Sequence, residues 1–188
     1  RDMNKFVERV RQARDQQELV YIYGDYDSDG VCSAVLLAET LKRAGLERVE
    51  VYLPHREREG YGLNANAIEY IAEQAAKLII TVDCGSSNVG EVLYARERGL
   101  DVMILDHHEE PPVLPEGVTV FINPQLAGET YPFKNLAAVG VVFKAMQALW
   151  RSFNLPSGEE KWFLDLAAIA TITDMMPLIG ENRVLVKY

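Results

Sequence analysis

Residues 19–30 read Leu-Val-Tyr-Ile-Tyr-Gly-Asp-Tyr-Asp-Ser-Asp-Gly. Leu19 to Tyr23 is an unbroken apolar and aromatic run without polar alternation, which predicts a strand covered on both faces. Gly24 and Asp25 end it. Val31, Ala34, Val35, Ala38 and Leu41 then recur at helical spacing and stop at Gly45, so the acidic stretch lies in a strand-to-helix turn. The same pattern recurs downstream. Val49 to Leu53 predicts a second strand, stopped by Pro54, and Asn64 to Lys77 a helix with Ala67, Ile68, Ile71 and Ala75 on one face. Leu78 to Val82 predicts a third strand, ended by Asp83-Cys84-Gly85, followed by a helix over Val89 to Arg98 with Gly99 as its stop. Val102 to Leu105 predicts a fourth strand, ended by Asp106-His107-His108. After Pro111, Pro112 and Pro115, Val118 to Ile122 predicts a fifth.

Phe6, Val10 and Ala13 mark a short amphipathic helix upstream. Leu136 to Phe153 and Glu159 to Ile172 predict two helices joined by Leu155-Pro156-Ser157-Gly158. Strands alternating with helices need crossovers that bring each strand back parallel to the last. The expected fold is therefore α/β: a parallel five-stranded sheet with helices on both faces, followed by a C-terminal helical segment. No linker or low-complexity stretch interrupts the chain, which predicts one domain over residues 1–188.

Composition narrows the function. The chain has 188 residues, 19 Lys+Arg against 28 Asp+Glu, and a formal net charge of −9. This argues against a stand-alone basic nucleic-acid wrapper. Cys32 and Cys84 form no metal-binding spacing and predict buried free thiols in a reducing compartment, hence a cytoplasmic protein. No run of about 18 apolar residues predicts a membrane span, and Arg1 to Arg14 carries no apolar signal core. The edges at Arg1 and Tyr188 suggest a piece of a longer chain.

The informative feature is where the acids fall. In a parallel sheet, the strand ends of one polarity share an edge, and ligands bind there. Asp25-x-Asp27-x-Asp29-Gly30, Asp83-Cys84-Gly85 and Asp106-His107-His108 each follow a strand. Carboxylates so gathered repel one another and raise each other's pKa. Divalent metal relieves this, and several carboxylates with an imidazole suit manganese or magnesium better than structural zinc. The number of acids points to two ions sharing a bridging carboxylate.

Each piece alone has a plainer reading. An EF-hand would need Glu at the twelfth loop position, where Leu36 stands, and a helix in front. An aspartyl-phosphatase signature fits Asp27-Ser28-Asp29-Gly30-Val31 but leaves the histidine pair without a role. Asp83 alone could cap a helix, His107 and His108 could form a turn, and Asp174 could be an ordinary helix-terminal acid. Their coincidence at equivalent strand ends favours a shared site. Arg56 and Arg58 follow the second strand on the same rim. Arg56 is a candidate phosphate contact, whereas Arg58, between Glu57 and Glu59, reads as solvated loop.

Gly24-Asp25-Tyr26-Asp27-Ser28-Asp29-Gly30, Val82-Asp83-Cys84-Gly85, Asp106-His107-His108 and Thr173-Asp174-Met175-Met176-Pro177-Leu178 resemble the four motifs of the DHH phosphoesterase superfamily. Flanking stretches add to the likeness: Arg56, Glu59-Gly60-Tyr61-Gly62-Leu63, Asn123-Pro124, Tyr131-Pro132-Phe133-Lys134, Val139 to Lys144, and Glu181-Asn182-Arg183. They point to its bacterial branch of single-strand-specific 5′ exonucleases.

The resemblance implies a metal-dependent phosphodiesterase with two Mn2+ (or Mg2+) ions. It places Asp27 and Asp29 on different ions with Asp83 bridging, and His107 and Asp174 completing the second site. Asp25 is placed on the first ion. Tyr23 stands where some relatives carry a histidine ligand. His108 is expected beside the reacting phosphate, orienting it or protonating the leaving oxygen, and not as a primary ligand. The implied substrate is single-stranded DNA, with replication or repair proteins as possible partners. Alternatives within the superfamily are hydrolysis of short RNA or of cyclic dinucleotides; a non-catalytic replication scaffold is a third reading, disfavoured by the filled ligand positions. Relatives continue into a second domain with a Gly-rich, His-containing substrate motif. These residues hold no such motif, so the chain is expected to be the metal-binding half.

Overall fold

A computed structural model describes residues 2–188; Arg1, read above as a chain edge, lies outside the described residues. The elements run α1 (Met3–Asp15), β1 (Val20–Gly24), α2 (Ser28–Arg43), β2 (Val49–Tyr52), α3 (Ala65–Glu73), β3 (Leu78–Val82), α4 (Val89–Glu97), β4 (Asp101–Leu105), β5 (Val120–Ile122) and α5 (Ala138–Ser152). A 3₁₀ turn over Glu159–Phe163, α6 (Leu164–Thr173) and α7 (Gly180–Lys187) complete the chain. The expected α/β architecture is present.

All strand pairs are parallel, in the order β2-β1-β3-β4-β5. The first crossover leads from β1 out to β2, and the later ones build away on the other side. The winding therefore reverses between β1 and β3, and such a reversal opens a crevice at the carboxyl ends of the strands. Register makes that crevice acidic. Gly24 pairs with Val82, and Val82 with Leu105. The next residues along these strands, Asp25, Asp83 and Asp106, therefore stand in one row.

Alternation along the strands feeds two cores. Ile22, Ile80, Met103 and Leu105 pack with Phe6 and Val10 of α1, Leu37 and Leu41 of α2, and Val142 and Met146 of α5. On the other face Tyr21, Tyr23, Ile79, Val102 and Ile104 pack with Ile68 and Ile71 of α3 and Val92 of α4. Among the described residues no helix is long and apolar enough to cross a membrane. Cys32 and Cys84 are buried free thiols, as expected.

Several local expectations differ from the structure. β2 is an edge strand with Glu50 and Val51 exposed, so it is not covered on both faces as β1 and β3 are. α3 ends at Glu73, because the following residues must turn, with Ala75 at φ 61°, to bring Leu78 beside Val20. β5 begins at Val120 rather than Val118. The helix expected over Glu159 to Ile172 is divided into the 3₁₀ turn and α6. Helix α7 had no counterpart in the sequence reading; it is short and buries only Asn182 and Leu185, too few positions to show a period.

Gly30 explains why the acidic turn ends in glycine. A Cβ there would lie 2.5 Å from the main-chain nitrogen and oxygen of Asp25, which cannot give way as a side chain would. Gly30→Ala is expected to destabilise the fold by about 1–3 kcal/mol, as overpacked sites do. A urea denaturation midpoint equal to that of the parent would contradict this contact.

Candidate metal centre

Asp27 is the N-cap of α2. Its Oδ1 accepts from the Asp29 and Gly30 main-chain N–H groups at 2.9 and 3.0 Å, satisfying two donors that a helix start leaves open. The side chain is otherwise exposed, so its second oxygen is available on the rim. Asp29, two residues on, is buried and reaches across to the start of α5, where its oxygens accept from Ala138 N at 2.6 Å and Val139 N at 2.8 Å. A helix N-terminus favours a carboxylate, and this contact binds α2 and α5 together at the site.

Asp83 has a φ of 62°, uncommon for a residue with a Cβ. Helix α4 begins only at Val89, so Asp83 is not its cap. His107 Nε2 lies 3.2 Å from Asp83 Oδ1, 3.7 Å from Asp174 Oδ2 and 3.8 Å from Asp29 Oδ2. Asp174, at the C-terminal end of α6, is brought in by helix packing. The ligand-type atoms form three groups, each within 4.8 Å: Asp25 with Asp27 and Asp83; Asp29 with His107 and Asp174; and Asp83 with His107 and His108. Asp83 and His107 are each shared between two groups.

The buried acids divide by their partners. Asp106 is saturated: its carboxylate accepts from Ser86 N, His107 N, His108 N and the His108 ring at 2.7–3.3 Å. Burial works against its charge, but the hydrogen bond and charge of His108 outweigh it and hold Asp106 below the ordinary carboxylate range. Asp25 Oδ1 and Asp174 Oδ2, in contrast, are buried without any hydrogen-bond partner. Burial pushes both carboxyls up. Asp29 is pushed to about 6 by burial against the opposing N–H bonds. Asp83 is pushed to about 10, first by burial and then by the carboxylates of Asp29 and Asp27.

Two unpartnered carboxylate oxygens, one in each acidic group, fit a site that receives cations. The donor set of carboxylates with one or two imidazoles matches manganese or magnesium chemistry. The structure thus brings Asp25, Asp27, Asp29, Asp83, His107 and Asp174 together. His108 lies beside them, half exposed, with its Nδ1 committed to Asp106. Arg56 is exposed at the edge, its guanidinium 5.3 Å from the centre of the Tyr26 ring. Arg58 is exposed in the same loop, as expected.

Two features escaped the sequence. Asp106 follows its strand as the other rim acids do, yet its carboxylate turns inward to organise the main chain that carries His107 and His108. Asn123, in sequence only part of a flanking stretch, donates to the His108 carbonyl at 2.9 Å and to Ser86 Oγ at 3.3 Å. Ser86 lies 20 residues from Asp106, and the partners of Asn123 lie 15 and 37 residues away; no local pattern signals such pairings.

Comparisons with known proteins identify the family. The model of the DHH family, N-terminal domain, matches residues 19–171. A single-stranded-DNA-specific exonuclease RecJ of Bacillus subtilis is 48% identical over 97% of this chain, which spans 22% of that protein. The RecJ of Thermus thermophilus is 36% identical over 95% of the chain and 26% of its own length. A crystal structure of exonuclease RecJ bound to manganese superposes with a TM-score of 0.87 at 33% identity, covering all of this chain and 46% of that one. The chain thus spans about a quarter of the length of these two curated relatives and less than half of this solved structure.

The raised carboxyls set a pH dependence. Between the ordinary Asp value of 3.8 and the folded value of about 10, the unfolded chain has lost the Asp83 proton while the metal-free fold keeps it. The unfolded state then binds fewer protons, so metal-free stability falls as pH rises through that window. Manganese binding near pH 7 is expected to release at least about one proton per chain. Calorimetry in two buffers of different ionisation enthalpy checks this, and the metal-induced rise in Tm should be larger at about pH 8 than at about pH 5.5.

Proposed function

The chain belongs to the DHH family, and from that premise we propose that it is the metal-binding domain of a metal-dependent phosphodiesterase that digests single-stranded DNA from its 5′ end. The observation that carries this reading is the pair of acidic groups that meet at Asp83 and His107, each with a buried, unpartnered carboxylate oxygen. Asp25 and Asp27 would hold one Mn2+ or Mg2+ and Asp29, His107 and Asp174 the other, with Asp83 between them. Bound metals of this kind activate water and offset charge on a phosphate oxygen.

The protein's own groups do the rest. Asp83 and His107, fixed at adjacent strand ends, set the separation of the two halves of the site. Asp106 accepts from His108 Nδ1 at 2.7 Å, leaving Nε2 to meet a phosphate oxygen or to give a proton to the leaving oxygen. Arg56, at the edge and close enough to act electrostatically on Asp25, is a contact for a phosphate further along the strand. A net charge of −9 gives little backbone grip. Residues 1–188 accordingly act as the DHH domain of a longer protein in which other domains hold the nucleic acid. The RecJ relatives are single-stranded-DNA-specific exonucleases, which supports single-stranded DNA as the target, and two buried free thiols suit the cytoplasm. Partners among replication or repair proteins fit such a role.

The decisive assay incubates end-labelled single-stranded and duplex DNA, a short RNA and a cyclic dinucleotide with the manganese-loaded protein. Preferential loss of the 5′ label from single-stranded DNA is expected. Faster cleavage of RNA or cyclic dinucleotide would reassign the substrate, and no cleavage of any would favour a scaffold. Manganese is also expected to support faster cleavage than calcium, because calcium prefers an all-oxygen, flexible shell whereas His107 offers nitrogen.

The histidine pair gives a sharper check. Calorimetry should count about two manganese ions in the parent. Asp83→Ala and His107→Ala should each lose metal. His108→Ala should keep both ions and lower single-turnover cleavage roughly 10²–10⁴-fold. Metal loss in His108→Ala with full loading of His107→Ala would reverse the two roles.

A further inference from the structure

Tyr61 stands between Gly60 and Gly62 in the loop that joins β2 to α3. Its hydroxyl donates to the Asp83 main-chain oxygen at 3.3 Å and lies 3.4 Å from both ring nitrogens of His108. The two rings meet edge to face, their centroids 5.7 Å apart. The His107 ring packs against His108 with a centroid distance of 4.6 Å, and Asp106 Oδ1 holds Nδ1 at 2.7 Å. His108 is 46% exposed. An imidazole so open to solvent keeps a fixed orientation only where neighbours confine it, and here the neighbours are Asp106, His107 and Tyr61.

The loop that carries Tyr61 is tied down on both sides of it. Tyr23 Oη donates to the Gly62 carbonyl at 2.9 Å and accepts from Asn64 Nδ2 at 3.0 Å. Tyr52 Oη donates to Glu59 Oε1 at 2.5 Å, while Glu59 Oε2 accepts from His55 N at 2.7 Å. Asn88 exchanges two hydrogen bonds of 3.2 Å with the Leu63 main chain. Tyr23 and Tyr52 are stacked, with ring centroids 5.4 Å apart. Gly62 takes a φ of 85°, and a Cβ there would lie 2.9 Å from Asn88 Oδ1. Anchors on β1, β2 and the start of α4 thus fix the loop, which is a preorganised wall over the site.

We propose that Tyr61 is a positioning residue that holds the His108 imidazole with Nε2 turned toward the substrate phosphate; this deepens, and rests on, the phosphodiesterase reading above. Tyr61 gives its proton to the Asp83 carbonyl, so only its lone pairs face the histidine. At 3.4 Å the contact with Nε2 is long and weak, and is readily exchanged for a phosphate oxygen. The short bond from Asp106 persists. Tyr61 therefore restrains the ring without competing strongly for the proton that His108 offers.

The test uses the full chain and Tyr61→Phe, which keeps the ring and removes the hydroxyl. In manganese, kcat on single-stranded DNA should fall roughly 10- to 100-fold, the scale of a small misplacement of a reacting group, with KM unchanged within about twofold. In a His108→Ala background the same substitution should cost little more, because its effect passes through the imidazole. A readout independent of cleavage is the proton–carbon spectrum of the magnesium-loaded protein labelled at histidine Cε1. The signal of His108 should shift or broaden in Tyr61→Phe while that of His55 stays in place.

An unchanged kcat with an unchanged His108 signal overturns the proposal. So does a rise in KM alone, which would make Tyr61 a substrate contact, or full additivity with His108→Ala. If the parent protein cleaves no phosphodiester, the phosphodiesterase reading fails instead, and the histidine spectra still decide whether Tyr61 holds His108.

Discussion

Carboxylates placed side by side repel, and the sheet register makes them neighbours. Gly24, Val82 and Leu105 pair across three strands, so the acids that follow them are crowded into one row whatever surrounds them. Burial sharpens the conflict, because the charged forms lose water as well as gaining like-charged neighbours. Asp83 bears most of it, at a positive φ between the acidic groups of α2 and the histidine turn. The rest of the rim is organised by how each acid is relieved.

The protein relieves some of them by itself. Asp27 caps α2, Asp29 caps α5, and Asp106 gathers the N–H groups of the following turn. In each case a main-chain donor that would otherwise lack a partner meets a carboxylate, so one contact answers two deficits. Asp25 and Asp174 each keep one buried oxygen without a hydrogen-bond partner. The division is chemically sensible. Acids bonded to helix starts hold the scaffold, and acids left open hold the space in front of it.

The imidazoles follow the same logic. His107 and His108 are consecutive, and Asp106 below and Asn123 behind fix their main chain so that the packed rings turn their nitrogens to different partners. One ring nitrogen faces three carboxylates, and the other ring leans on Asp106 and Tyr61. Orientation here comes from hydrogen bonds to the main chain between the strands and helices. Residues that never reach the rim, such as Ser86, Tyr23 and Asn88, contribute by holding the turns that do.

The alternation of strand and helix, the parallel sheet, and the strand-end placement of Asp25, Asp83, Asp106, His107 and His108 are legible in the residues alone. These follow from local periodicity and from the chain having to return after each strand. The sequence also singles out Asp174, through motif resemblance, though nothing local shows a helix end turned inward. Packing in three dimensions makes β2 a half-exposed edge, forms α7, bonds Asp29 to the start of α5 more than a hundred residues away, and turns Asp106 inward. It alone brings Tyr61 against His108. Such contacts depend on which segments meet in space. Side-chain periodicity encodes which face of an element is apolar, but not which distant donor or ring will stand in front of a given polar atom.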